Sequence, residues 1–485
     1  MSNEALFDGR LVIVSNRLPV VMEKTEKKKY KFKPAVGGLV TAMEPILKKR
    51  KGLWIGWAGD YKEEEINTKE LLKNKTKEAG YDLIPVELSI ANYNLYYEGY
   101  SNEILWPLFH NFPSYCVFKP EFYTAYEEVN KKFADTVFEN LNESDFVWIH
   151  DYHLIKVAGY LREMGTTNRI AYFLHIPFPP LETFMRMPHR QELFDALLEY
   201  DLIGFQTEQD KKNFIDVVYK LTELKQTEAG SENICRLTDG SREISVGSFA
   251  ISIDYDEFSE GVKRKKVLKK SKELKETCPD QLLMLGVDRL DYTKGIPQKL
   301  KAYRMLLEEN PELKGRVKLI QILVPSRENI SQYADLKSEI EQLVGQINGS
   351  FSQPGWIPIQ YRYCTIKREE ILAYYQACDI VLVTPLKDGM NLVAKEYCAS
   401  RNDESGVLIL SEFAGAMHQL KCGALLVNPF DIKSLVSAMK RAISMSKEEQ
   451  KERMLKLRQN IRSYDIYWWA DSFLGAARQK QNKAH

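Results

Sequence analysis

The 485-residue chain carries 68 lysines and arginines against 67 aspartates and glutamates, a formal net charge of +1. Such a balance gives no whole-molecule attraction to nucleic acid or to an anionic membrane, so any anion must be recognised by local cations. Hydrophobic residues at 44% and charged residues at 28% exclude a disordered chain, and the length exceeds one ordinary domain.

No apolar run approaches the ~20 residues of a membrane-spanning helix. The segment Met1-Ser2-Asn3-Glu4-Ala5 lacks the basic stretch and apolar core of a secretory signal. Seven cysteines, at 116, 235, 278, 364, 378, 398 and 422, show no CxxC spacing, and Cys378 ends an apolar helical pattern. Buried reduced thiols and a cytoplasmic location are expected.

In chain order, buried-strand signals occur at Leu11-Val12-Ile13-Val14, Val147-Trp148-Ile149, 170–174 and 202–205. The second half repeats them at 282–286, 317–324, 380–383 and 407–410. Continuous apolar runs of this length suit parallel strands covered on both faces. Amphipathic helices at 208–221 and 296–307 lie between them, so the pattern predicts doubly wound α/β domains, and too many strands for one sheet predict two. The boundaries expected are 1–253, 254–452 and a helical segment 453–485, with the join in the charged stretch 256–275. The lysine-rich run 23–33 reads as a mobile, solvated loop that could also draw in anions.

Ligands of open α/β sheets bind beyond the carboxyl ends of the strands, so residues there are the site candidates. Arg17 ends the first strand and offers a planar fork to phosphate or carboxylate, although a surface arginine would look the same. Gly38, in Val36-Gly37-Gly38-Leu39, precedes a helical stretch where backbone N–H groups can approach an anion. Trp57, Tyr97 and Trp106 can stack on sugar rings, but aromatics are more often core. Asp151 and His175 follow two successive strands. His150 and His153 straddle Asp151, but at a strand end they would diverge, so a metal is not expected. Neither GxGxxG, GxxxxGK[ST] nor GxSxG occurs, which argues against a standard dinucleotide site, a P-loop or a serine hydrolase.

The second half is more specific. In Gly286-Val-Asp-Arg289-Leu-Asp-Tyr-Thr-Lys294-Gly295, Arg289 and Lys294 flank a strand-to-helix turn. Two cations beside a helix N-terminus suit a diphosphate that gains charge as it leaves, the competing reading being ion pairs with Asp288 or Asp291. In Thr384-Pro-Leu-Lys-Asp388-Gly389-Met390-Asn391-Leu392-Val393-Ala-Lys-Glu396, Asp388 offers a carboxylate to a sugar hydroxyl. Met390 to Val393 bring N–H groups at a helix start, and Glu396 can accept both hydroxyls of a ribose.

These segments in this order resemble the retaining glycosyltransferases of the trehalose-6-phosphate synthase family. The strings VSNRLP, GGLV, LWIGW, ILWPLFH, WIHDYHL, FLHIPFPP, GFQTEQD, DRLDYTKG, LVPSRE, TPLKDGMNLVAKEY and LSEFAGA carry the resemblance over roughly residues 10 to 470. It implies the GT-B arrangement: two Rossmann-like domains facing a central cleft, acceptor-binding then nucleotide-sugar-binding, with the C-terminal helix crossing back to the first. It also implies UDP-glucose and glucose 6-phosphate as substrates. Arg17 and Arg327 match residues that hold the acceptor phosphate, and Trp57, Tyr97, Trp106 and Asp151 those around the acceptor sugar. His175 and Asp388 match donor-glucose ligands; Gly38, Arg289 and Lys294 match diphosphate ligands; Glu396 matches the ribose ligand; and Gly389 to Val393 complete the donor-binding set. Asp151, His175, Arg289, Lys294 and Asp388 are accordingly the expected catalytic group, acting by a front-face reaction without metal or other cofactor. The resemblance leaves open a sibling transferase such as glucosylglycerol-phosphate synthase, a non-catalytic regulatory subunit, a homo-oligomer, and a complex with a trehalose-phosphate phosphatase.

Overall fold

In the computed structural model the described residues are 9–24, 30–34, 40, 43–44, 46–48, 52–61, 68–227 and 233–478. They form two compact units, residues 1–250 with 467–485, and residues 251–466.

The first unit is built on a nine-stranded sheet. Its strands are β1 (Leu11–Arg17), β4 (Leu53–Tyr61), β5 (Asp82–Leu88), β6 (Phe146–His150), β7 (Ile170–Phe173), β8 (Leu202–Phe205), β9 (Lys225–Gln226), β10 (Ile234–Thr238) and β11 (Glu243–Ser248). Their order is β5-β4-β1-β6-β7-β8-β11-β10-β9. Every pairing is parallel except those of β10 with β11 and β9. All residues of β6, β7 and β8 are buried, which is why they appear in the sequence as unbroken apolar runs. The chain leaves β1 towards β4 and β5 and returns on its other side as β6. The β1–β6 boundary is therefore a topological switch point, where an open sheet leaves a crevice.

Two strands, β2 (Val20–Lys24) and β3 (Tyr30–Pro34), pair antiparallel as a hairpin. The expected loop at 23–33 is thus partly strand, with residues 25–29 outside the described set. The alternation of Tyr30 and Phe32 with Lys31 and Lys33 is the strand signal that the lysine count masked.

The second unit holds a six-stranded, all-parallel sheet. Its strands β12 (Leu282–Arg289), β13 (Val317–Val324), β14 (Ile359–Tyr363), β15 (Ile380–Val383), β16 (Val407–Ser411) and β17 (Leu425–Val427) lie in the order β14-β13-β12-β15-β16-β17. Its switch point falls between β12 and β15, the two strands that end in Arg289 and lead to Asp388.

The charged stretch 256–275 is not the join. It folds as helices Tyr255–Gly261 and Lys265–Glu276 within the second unit, and the division comes just before it, at 250/251. The amphipathic spacing that buries Phe258 and Val267 outweighs the charge of the segment. At the other end the helix Lys447–Ser463 also belongs to the second unit, burying Met454, Leu457 and Ile461 there, so the return to the first unit begins at Tyr467 rather than at 453.

The last helix, Ile466–Arg478, packs on the first sheet. Phe473 stacks on Trp148 with centroids 4.3 Å apart, and the Trp469 indole N–H donates to the Phe249 carbonyl at 3.2 Å. Gly204 on β8 makes this approach available, since a Cβ there would lie 2.6 Å from Phe473 and 2.8 Å from Phe173. No helix among the described residues is long and apolar enough to cross a membrane.

Candidate active site

In the first unit the site is built from aromatic faces. Arg17, at the end of β1, sets its guanidinium carbon 5.0 Å from the Trp57 ring centroid and 5.5 Å from that of Tyr97. Trp57 comes from the neighbouring β4, while Tyr97 comes from the π-helix Tyr93–Leu105. The wide turns of that helix align Tyr93 with Tyr97, whose rings stack at 4.9 Å, and Tyr93 meets Trp57 at 5.0 Å. Tyr96, buried on the same helix, donates to Asn16 Oδ1 at 3.0 Å and ties the helix to the end of β1. Cation–π contact orients the arginine and leaves its N–H fork for an anion.

From Tyr97 the cluster runs on to β6. Tyr97 stacks on His153 at 5.6 Å and 9°, and His153 Nδ1 lies 4.0 Å from Asp151 Oδ2. Asp151 has φ 75°, and its Oδ1 accepts from the His175 backbone N–H at 3.3 Å. Trp106 joins more remotely: it is buried and its ring lies 5.8 Å from that of Tyr152, whose hydroxyl donates to Asn102 on the π-helix.

His175 is half-buried and His150 fully so, and their rings meet at 3.1 Å between His150 Nδ1 and His175 Nε2. Burial pushes His175 down to about 3. It holds His150 well below the usual histidine range too, the adjacent His175 adding to the effect. Both rings are neutral at physiological pH. Among the described residues no group of three histidine, cysteine or acidic side chains could hold an ion.

In the second unit carboxylates organise cations. Lys294 Nζ contacts Asp388 Oδ2 at 2.6 Å, and Asn391 Nδ2 donates to the same oxygen at 3.0 Å. The lysine sits in a short turn, Tyr292–Lys294, that ends at Gly295, φ 64°; a Cβ at Gly295 would collide with the Thr384 carbonyl, so only glycine lets the turn pass β15. Asp388 follows β15 and is held by backbone bonds, its N–H to the Phe413 carbonyl and its carbonyl from Gly415 N–H, each 3.1 Å. Met390 accepts from Ala416 N–H at 2.9 Å, and Asn391, φ 75°, precedes the helix Leu392–Ser400. The first N–H groups of that helix, from Leu392 and Val393, directly follow Asn391, whose amide donates to Asp388.

Asp291 is the residue that sequence reasoning left as a mere ion-pair partner. It is 0% exposed at the side chain; Oδ1 accepts from Thr293 N–H and hydroxyl at 3.0 and 2.8 Å, while Oδ2 faces Arg327 at 3.5 Å and Arg289 at 3.9 Å. One carboxylate thus gathers both arginines, and its burial within DRLDYTKG was the missing signal. Arg327 adopts φ 51° and donates to the Tyr333 hydroxyl at 2.6 Å, whereas the Arg289 side chain is 48% exposed, open to an incoming ligand. Asp288, the other candidate partner for Lys294, instead pairs with buried Lys299 at 2.6 Å.

Glu396 lies one turn further along the Leu392–Ser400 helix. It accepts from the Tyr375 hydroxyl at 2.8 Å and faces Arg368 at 3.8 Å; burial raises its carboxyl above the usual range. Gly38 lies outside the described residues. Three of the seven described non-glycine residues with positive φ are site candidates, Asp151, Arg327 and Asn391, a concentration of backbone strain expected where geometry serves a ligand.

Two α/β units, each with an anion-suited cluster at its switch point, match the GT-B glycosyltransferase fold of the solved structures that this chain resembles. The model of glycosyltransferase family 20 matches residues 9–479, and the chain belongs to that family. It is 39% identical over 477 residues to an alpha,alpha-trehalose-phosphate synthase [UDP-forming] of Candida albicans, covering 97% of each chain. A trehalose-6-phosphate synthase of Mycolicibacterium smegmatis is 41% identical over 471 residues, 96% of this chain and 92% of that one. Among solved structures, a UDP-forming synthase of Burkholderia xenovorans in complex with glucose-6-phosphate superposes with TM-score 0.86 at 34% identity, covering 97% of this chain and all of that one. An E. coli trehalose-6-phosphate protein bound with UDP-2-fluoro glucose gives the same score and identity over 98% of this chain.

Proposed function

We propose that the protein transfers glucose from UDP-glucose to glucose 6-phosphate, giving alpha,alpha-trehalose 6-phosphate and UDP with retention at the anomeric carbon. The observation that carries this reading is the cation cluster of the second unit, Lys294 on Asp388 with Arg289 and Arg327 on one buried aspartate, beside a helix N-terminus. Relatives matched from end to end supply the substrates: UDP-forming synthases by sequence, and a glucose-6-phosphate complex by structure.

The chemistry assigned to each residue comes from its surroundings. Arg289 and Lys294 take the diphosphate, with the N–H groups of Leu392 and Val393, and stabilise the charge it gains on leaving. Lys294 exchanges part of its contact with Asp388 for the diphosphate, and Asp388, held by Asn391, Phe413 and Gly415, turns to the donor glucose with Gly389 and Met390. Glu396 takes the ribose. Arg17 and Arg327 hold the acceptor phosphate, and Trp57, Tyr97, Trp106 and Asp151 surround the acceptor sugar, with His175 on the donor glucose. In a front-face transfer the leaving diphosphate accepts the proton of the acceptor hydroxyl, so the protein's part is orientation and charge stabilisation.

This scheme uses fixed cations where other transferases use a metal, and turnover unchanged by chelator checks it. Seven free thiols agree with a cytoplasmic setting. The reading extends to a homo-oligomer or a complex with a trehalose-phosphate phosphatase, which light scattering with and without the phosphatase checks.

UDP release measured with glucose 6-phosphate and with glycerol 3-phosphate, plus a mass spectrum of the product, tests the whole assignment. The expected result is a disaccharide phosphate from the first acceptor only. Turnover with glycerol 3-phosphate alone, or none with either, overturns it.

A further inference from the structure

The buried His150 has no task in that scheme, yet its ring is in direct hydrogen-bond contact with His175. Its Nδ1 lies 3.1 Å from His175 Nε2, and its Nε2 is buried with no partner among the described residues. Trp148 packs 4.7 Å from the His150 ring, Phe173 lies 4.7 Å from that of His175, and Trp469 of the last helix lies 6.4 Å from His175. Rings thus pack against both members of the pair, and His150 is fully buried.

A neutral imidazole has one N–H, and two neutral rings sharing one contact have two arrangements. If His150 carried its proton on Nε2, a buried N–H donor would go unpaired, which costs more than an unpaired lone pair. The proton therefore sits on His150 Nδ1 and is donated to His175 Nε2. His175 Nε2 is then an acceptor, and the proton of His175 resides on Nδ1, the ring nitrogen left for a ligand.

We infer that His150 is a positioning residue that fixes His175 as an Nδ1–H donor towards an oxygen of the transferred sugar. The inference rests on the proposed role of His175 at the donor glucose and deepens it: His175 recognises a hydroxyl by donating to it, not by accepting from it. The low proton affinity of both rings keeps the arrangement neutral across the physiological range. Free imidazole prefers its Nε2–H form, so without His150 the preference of His175 reverses.

The test uses the full chain with 15N-labelled histidine. Long-range proton–nitrogen spectra, assigned with a His175→Gln variant, report which His175 nitrogen is protonated. The wild type is expected to show Nδ1–H and His150→Phe to show Nε2–H. The KM for UDP-glucose should rise about tenfold in His150→Phe, the loss of one ligand hydrogen bond, with the affinity for UDP alone unchanged. His150→Asn, which keeps an N–H near the Nδ1 position, should restore both the tautomer and the KM, and it serves in place of the phenylalanine comparison if that variant melts early. An Nε2–H signal from wild-type His175 overturns the inference while leaving the donor-glucose role standing. A tautomer change with unaltered KM overturns the donor-glucose role itself, and the inference with it.

Discussion

The two switch points are made of opposite materials. In the first unit Arg17 is held by the faces of Trp57 and Tyr97, and the neighbouring histidines are neutral. In the second unit Lys294, Arg289 and Arg327 are each held by a carboxylate. A ring face orients a cation without neutralising it, which suits an arginine that must give its whole fork to a phosphate. A carboxylate holds a cation in place at lower local charge until a more highly charged ligand displaces it, which suits a group that must respond as a diphosphate departs. On the proposed assignment the difference separates binding from chemistry for Arg17 against Lys294 and Arg289, Arg327 being a carboxylate-held cation given to the acceptor phosphate. Substitutions should reveal it as separate kinetic signatures.

The largest effect is expected in the second unit. Lys294→Ala should lower kcat by about 10²–10³-fold, the range for losing one donor to a developing oxyanion, with the melting transition close to wild type. Arg289→Ala should show the next largest loss, and full activity in either variant would refute the leaving-group role. Next comes Asp291. Its side chain is wholly buried and Arg327 nearly so, so Asp291→Ala leaves buried cationic charge uncompensated and should cost about 3 kcal/mol in a denaturant titration. Asp291→Asn keeps an acceptor for Thr293 and should recover part of that stability but little of the kcat. Equal recovery of both would make Asp291 a cap rather than an organiser of arginines.

In the first unit Trp57→Leu should raise the KM for glucose 6-phosphate about tenfold by removing one ring face from Arg17. The KM for UDP-glucose should hold. A fall in kcat with unchanged acceptor KM would erase the contrast between the two crevices.

Much of this contrast was legible in the chain, but unevenly. β6, β7, β8, β12, β13, β15 and β16 are buried on both faces, so they stand out as apolar runs, and the residues just beyond them mark the crevices. β5 mixes exposed Asp82 and Glu87 and half-buried Pro85 with its apolar positions, and β4 reads as an aromatic motif, so neither announced itself as a strand. Arg289 and Lys294 were readable as a pair because they share one turn. The partner of Lys294 was not, because Asp388 lies 94 residues away and is brought in by strand order. The same holds for His150 and His175, 25 residues apart and adjacent only because β6 and β7 pair. The return of the chain at Tyr467 is hard to place from sequence because 453–466 is as helical by pattern as 467–478. The two helices differ in the unit against which each is buried, and spacing alone does not encode that.

The smallest effects concern pH, and here the two units should separate by window. Lys395, 1% exposed, has the neutral partners Ile251 O and Gln419 Oε1, and burial lowers it to about 7. The unfolded chain then binds more protons than the folded one between that value and the ordinary lysine value, so stability rises with pH there, by about 1 kcal/mol from pH 7 to 8. Lys395→Met should remove that slope. His150 and His175 are depressed below their unfolded value of about 6.5 in the same way. Their neutral, folded form is fully favoured above that value and is penalised as pH falls below it, towards about 3 for His175. From pH 7 to 6 the loss should be about 0.7 kcal/mol per histidine, before carboxylates titrate. Denaturant midpoints measured across both windows, with the His150→Phe His175→Phe double variant as the second control, check the assignment. The double variant should flatten mainly the slope below pH 7, and Lys395→Met mainly the slope above it, with a smaller change just below pH 7 because Lys395 is half-protonated there. A variant whose larger loss of slope fell in the other window would show that the titrating groups are not those buried beside each site.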